Sequence, residues 1–195
     1  MAKKNQLTTS NPLSFDEFTR LLNCLYKDKE YQWAMYVQLS FCTACRASDV
    51  LNMHWKDVLG VSAITIVEQK TKKVRKVPFN PSVQQKFNEL WQLLDCPDKN
   101  DYIMKTSHND KPYTIQYVNM KLKDFKWKYN LKIENFSTHT FRKTFGRYVY
   151  ETNERSAESL ILLNKILNHS SIQTTKTYIG ITQDEVDSVF ASINL

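Results

Sequence analysis

Residues 138–178 read THTFRKTFGRYVYETNERSAESLILLNKILNHSSIQTTKTY, and this stretch sets the fold class. Its periodicity predicts three helices in succession, at about 138–151, 157–167 and 171–178. The first carries His139 and Arg142 three positions apart, so both side chains emerge on one face. After the second comes Leu167-Asn168-His169-Ser170-Ser171. The spacing from His169 to Tyr178 lets a turn and a short helix bring an imidazole and a phenol to a common pocket.

Working outward, residues 114–129 read as a basic helix, and a stripe of Val83, Phe87, Leu90, Trp91 and Leu94 predicts another that begins at Pro81. Segments 62–68 and 74–79 alternate like strands, and Gln69-Lys70-Thr71-Lys72-Lys73 forms the polar tip of a hairpin between them. A short extended piece at Tyr102-Ile103-Met104 supplies a third strand. Helices are expected at about 31–45 and, opened by a Ser14 to Glu17 capping box, from there to about Tyr26. A last helix is predicted at 183–190. The expectation is a mainly α fold, formally α+β, with a small three-stranded antiparallel sheet. It forms one domain over 13–195 after a leader or linker at 1–12.

Composition narrows the function classes. The chain has 195 residues but only 3 Gly and 5 Pro, too few for an all-β sandwich or for a glycine-rich phosphate loop. Lys3 and Lys4 precede no apolar stretch, so the start is not a secretory signal, and no apolar run is long enough to span a bilayer. The 4 cysteines are too irregular for a disulfide framework. Cys42 and Cys45 lack a second half-site for zinc and read as part of a buried helix. A reduced, cytoplasmic protein without metal or cofactor is expected.

Charge points to the partner. From Lys70 to Arg147 there are 17 Lys or Arg and 7 Asp or Glu, 17 − 7 = +10, although the whole chain carries only +7. A field of that asymmetry concentrates a polyanion on one side, and nucleic acid is the obvious one. Within the basic helix, lysines interleave with Tyr117, Met120, Leu122, Phe125 and Tyr129, whose spacing predicts a core face, leaving the lysines to face phosphates.

Four blocks then stand in order: Arg46-Ala47-Ser48-Asp49, Gln69-Lys70-Thr71, His139-Thr140-Phe141-Arg142, and His169 followed by Tyr178. Together they resemble the catalytic domain of the tyrosine recombinases, the phage integrase family, over nearly the whole chain from about Ser14 to Phe190. Arg46 resembles the first catalytic arginine and Lys70 the β-hairpin lysine. His139 and Arg142 resemble the central His-x-x-Arg, His169 the next His or Trp position, and Tyr178 the nucleophile. Taken singly, Arg46 would cap a helix, His139 and His169 would be structural, and Tyr178 would be packing; the combination reverses those odds.

The resemblance implies site-specific cleavage and rejoining of double-stranded DNA. Two guanidiniums fit the non-bridging oxygens of a phosphodiester whose transition state gains charge. His139 and His169 would bind the same phosphate or help to move the phenolic proton. Tyr178 would attack phosphorus to give a covalent 3′-phosphotyrosine, with Lys70 protonating the departing 5′-oxygen. Because that link preserves the bond's free energy, resealing needs no ATP. Family members self-associate as tetramers on DNA, commonly through the last helix, and in a prokaryote the work would be done at the nucleoid. Type IB topoisomerase-like relaxation and a non-catalytic DNA-binding module are the alternatives. Two departures stand out: Lys143 follows Arg142 where His is common, and Asn168 precedes His169 where Gly is common. Neither is expected to touch the chemistry. About 13 residues precede the first helix, so the family's amino-terminal core-binding domain is expected to be missing.

Overall fold

A computed structural model describes residues 10–69, 72–106 and 110–181. The first helix, α1 (Phe15–Lys27), starts where Ser14 accepts a hydrogen bond from the Glu17 amide. Only half of the expected capping box forms. The Glu17 carboxylate turns instead to Arg20 at 2.7 Å and to the Lys132 amide, tying the first turn to the segment after the basic helix.

Helix α2 (Tyr31–Thr43) is the centre of the domain. It buries Trp33, Ala34, Met35, Tyr36, Val37 and Leu39, so it is apolar nearly all round, as a helix enclosed by others must be. Packed around it are α1, α4 (Pro81–Leu93) and α6 (Thr140–Thr152). α4 begins as expected, with Asn80 as its cap and Pro81 in its first turn.

α2 stops at Thr43, two residues short of expectation, because Ala44 adopts left-handed backbone with φ 48°. A residue with a Cβ there costs on the order of 1 kcal/mol relative to glycine, so surrounding contacts must hold it. Arg46 then caps a new helix, α3 (Ala47–Leu51), at its amino end, and does not close α2.

Strands β1 (Ala63–Val67) and β2 (Val74–Pro78) pair antiparallel, with Ile64 opposite Val77 and Ile66 opposite Arg75. Among the described residues the sheet has two strands, not the expected three. Ile103 and Met104 are both buried, and the segment 102–104 pairs with neither β1 nor β2. Their segment makes a single bridge, Tyr102 with His54, and sinks into the core.

Helix α5 (Ile115–Lys128) buries Val118, Leu122 and Phe125. Met120, expected inside, is exposed, and Val118, on the opposite side of the helix from it, lines up with Leu122 and Phe125 on the buried face. α6, α7 (Ala157–Leu167) and α8 (Ile172–Ile179) follow the predicted order. They close a second, smaller cluster in which Ala44, Leu160, Leu163, Leu167, Tyr178 and Ile179 are buried. Gly146 lets α6 and α8 touch: a Cβ there would lie 2.7 Å from Ile179 Cγ2. The chain from Ser10 already packs on α6, where Lys143 donates to the Ser10 carbonyl and Thr144 accepts from the Leu13 amide. The helix expected at 183–190 lies outside the described residues. No described helix is long and apolar enough to cross a membrane.

Candidate active site

The carboxyl ends of α2 and α7 converge, and their last carbonyls carry the negative ends of two helix dipoles. Two arginines fill the gap. Arg142, from the first turn of α6, donates to the Ala44 carbonyl and, at 2.5 Å, to the Leu167 carbonyl. Arg75, from β2, donates to the Thr43 and Ile166 carbonyls, both at 2.7 Å, and to Cys45 Sγ. Between them they hold the strained Ala44 turn. Arg75 follows the cations Lys72 and Lys73, all of which sequence alone leaves as plausible phosphate contacts, but it binds protein backbone.

Arg46 emerges one step beyond that turn. Its Nη1 lies 2.6 Å from a carboxylate oxygen of Glu68, which is only 2% exposed. The contact is close in distance but off the donor axis, since Nη1 has no hydrogen bond of regular geometry among the described residues. Glu68 therefore supplies charge without saturating the fork. The two-residue alternation of β1 explains its burial: Ile64, Ile66 and Glu68 share the inward side. Asp49, buried in α3, accepts from the Gln69 amide at 3.0 Å and so fixes the strand that carries Glu68.

Tyr178 is buried near the end of α8. Its ring packs edge-on to the His169 imidazole at 4.8 Å between centroids. The Arg142 guanidinium carbon is 6.0 Å and Lys143 Nζ 5.1 Å from the same ring. Burial pushes the phenol above its ordinary pKa, while Arg142 and then Arg46 pull the other way. Among the described residues the hydroxyl itself has no hydrogen-bond partner of regular geometry, although Arg142 stands near enough to favour the phenolate.

Burial and the charges of Arg142 and Arg46 lower the His169 pKa from 6.5 to about 4, so the imidazole is neutral near pH 7. Its Nδ1 shares a hydrogen bond with Thr175 Oγ1 at 3.1 Å, which orients the ring. Burial also lowers the pKa of Arg142 and of Lys143.

Arg46, Arg142, His169 and Tyr178 thus lie close enough together to act on one another. His139 is half-buried at the cap position of α6, one turn before Arg142. Lys70 lies outside the described residues. Three residues were missed. Glu68 reads only as the last residue of the first strand, Lys143 reads as a neutral departure yet its ammonium faces the Tyr178 ring, and Asn168 proves to contact Glu68 and Lys73. The signal available for Glu68 was its position two beyond Ile66. Among the described residues no group of three or more His, Cys, Asp or Glu could hold a metal ion.

Comparison with known proteins matches residues 11–185 to the phage integrase family model. The chain belongs to the phage integrase family, the tyrosine recombinases. This recombinase domain is 34% identical over 148 residues to the probable integrase/recombinase YoeC of Bacillus subtilis, covering 76% of this chain and 77% of that protein. It is 28% identical over 163 residues to a probable integrase/recombinase of Acholeplasma phage L2, spanning 83% of this chain but 53% of that one. Among solved structures, the XerA recombinase superposes with a TM-score of 0.72 at 20% identity, covering 98% of this chain and 68% of that chain. XerH bound to its difH substrate after cleavage gives 0.71, also at 20% identity, over 96% of this chain and 54% of that chain. The recombinase therefore spans about half to three quarters of the length of these relatives. At these identities the structural likeness establishes the catalytic-domain fold.

Proposed function

We propose that this domain cuts and rejoins DNA strands at specific sites through a covalent 3′-phosphotyrosine link to Tyr178. One observation carries the reading: a phenol, a neutral imidazole and two guanidiniums lie within one electrostatic unit at the junction of α2, α7 and α8. Arg142 commits one N–H of each terminal nitrogen to backbone carbonyls and keeps a second N–H on each. Arg46 keeps donor directions that Glu68 does not meet. A phosphate between the two forks would find charge-assisted donors already in position, and that preorganisation is the main contribution to the rate.

As Tyr178 oxygen bonds to phosphorus, its proton leaves and the 5′-oxygen departs. His169, neutral at working pH, is able to take a proton or to hydrogen-bond a phosphate oxygen. Incoming phosphate also supplies the polar surroundings that the buried hydroxyl lacks. His139 serves the same phosphate from the start of α6, and Lys70 protonates the leaving 5′-oxygen. A 5′-hydroxyl from another strand reverses the steps and seals the junction.

The partner is double-stranded DNA, engaged by a tetramer at the nucleoid, and the basic face of α5 supplies phosphate contacts. Relatives named integrase and recombinase favour strand exchange over relaxation of a single duplex. A nicked suicide duplex tests the reading. The unmodified chain should form a protein–DNA adduct that survives denaturation, and Tyr178→Phe should bind the duplex and form none. Binding without an adduct by the unmodified chain identifies a DNA-binding module instead.

A further inference from the structure

Asn168 ends α7 in left-handed backbone, φ 54° and ψ 46°, a conformation that glycine adopts freely and asparagine tolerates. Backbone tolerance explains why Asn can stand there; it does not account for where the side chain goes. The amide nitrogen donates to Glu68 Oε2 at 3.1 Å, and the amide oxygen accepts from Lys73 Nζ at 2.8 Å. Glu68 and Lys73 are themselves paired across the hairpin, where the Glu68 amide donates to the Lys73 carbonyl at 3.0 Å. One side chain thus grips both legs of the hairpin at the level where the strands end.

The other end of this connection is the proposed site. The same Glu68 oxygen is 2.6 Å from Arg46 Nη1, and the residue after Asn168 is His169. Glu68 is almost fully buried, so its charge must be held, and Arg46 and Asn168 both hold it.

The geometry points to Asn168 as a positioning residue: its amide clamps the β1–β2 hairpin to the turn that carries His169 and, through Glu68, sets the direction of the Arg46 fork. The proposal rests on the recombinase reading for its catalytic half. Its structural half stands on the hydrogen bonds alone. A glycine at this position would keep the backbone turn and lose the clamp, which makes the substitution selective.

The experiment is Asn168→Gly, measured in two ways on the full chain. In DNA-free protein, amide exchange at Glu68 and Lys72, whose N–H groups close the hairpin end, should speed up several-fold while α2 amides keep their protection. On a nicked suicide duplex at saturating protein, adduct formation should slow about ten-fold, the scale of one hydrogen bond to a charged group. Affinity for an uncleaved duplex should stay within about two-fold. In a Glu68→Ala background, Asn168→Gly should slow adduct formation almost no further, because its effect on the Arg46 fork passes through that carboxylate. Unchanged exchange at Glu68 and Lys72, or a slowing that multiplies in full with that of Glu68→Ala, overturns the proposal. If the unmodified chain forms no adduct at all, the recombinase reading fails and the catalytic half with it. The exchange result still decides whether Asn168 holds the hairpin.

Discussion

Replacing His169 with Gln should make the domain less sensitive to acid. The folded imidazole titrates at about 4 against an ordinary 6.5, because burial and the charges of Arg142 and Arg46 oppose its protonation. The unfolded chain takes up that proton first as pH falls. The folded state is therefore unpenalised above about pH 6.5, and loses stability as pH drops from there towards 4. The full shift corresponds to a ceiling of roughly 3 kcal/mol. His169 is only half-buried, and solvent screening reduces the expected loss to about 1–2 kcal/mol. Urea unfolding of the unmodified chain and of His169→Gln, at pH 7.5 and 4.5 and constant ionic strength, isolates this contribution, since the carboxylates titrate equally in both. The drop in stability should be smaller in the variant by that amount. Equal drops would mean that the ring takes up its proton in the folded state as readily as in the unfolded one, and that the two arginines do not act on it.

Arg142→Ala should abolish adduct formation and also lower stability by about 2–4 kcal/mol, because the Ala44 and Leu167 carbonyls lose their buried donor; a urea midpoint equal to that of the unmodified chain would refute this. Gly146→Ala forces Ile179 away from α6, and overpacking of about 1–3 kcal/mol should exceed the ~1 kcal/mol gain in helix propensity. Thermal melting should fall, and adduct formation should slow because Ile179 adjoins Tyr178. DNA affinity should decline steeply with salt, by a slope of about 0.9 per phosphate contacted; a flat response removes the basic face from the reading.

The helices were legible because their apolar stripes and caps agree: Ser14, Asn80, Thr114, Ser156 and Ser171 each accept from an amide three residues on. The candidate site was legible as an ordered set of reactive residue types, of which Lys70 lies outside the described residues. What stayed hidden depends on tertiary contacts. Nothing in Thr43-Ala44-Cys45 marks the end of α2, because alanine is an ordinary helix former, and arginines distant in sequence hold it in left-handed backbone. Met120 is outside because α5 is rotated to seat Val118 in the core. Arg75 looked like one more surface cation, although it alternates inward with Val77.

The stitching of two helix ends by Arg142 bears on how descendants of this gene should be judged. A copy that has lost the power to cut DNA would still need that guanidinium to stay folded, so its retention speaks for a foldable chain and says little about a living enzyme. Among the described residues nothing comparable requires the phenolic oxygen of Tyr178, which forms no hydrogen bond of regular geometry with them. On the proposed mechanism, phenylalanine at that one position is the change by which a silent descendant should be recognised.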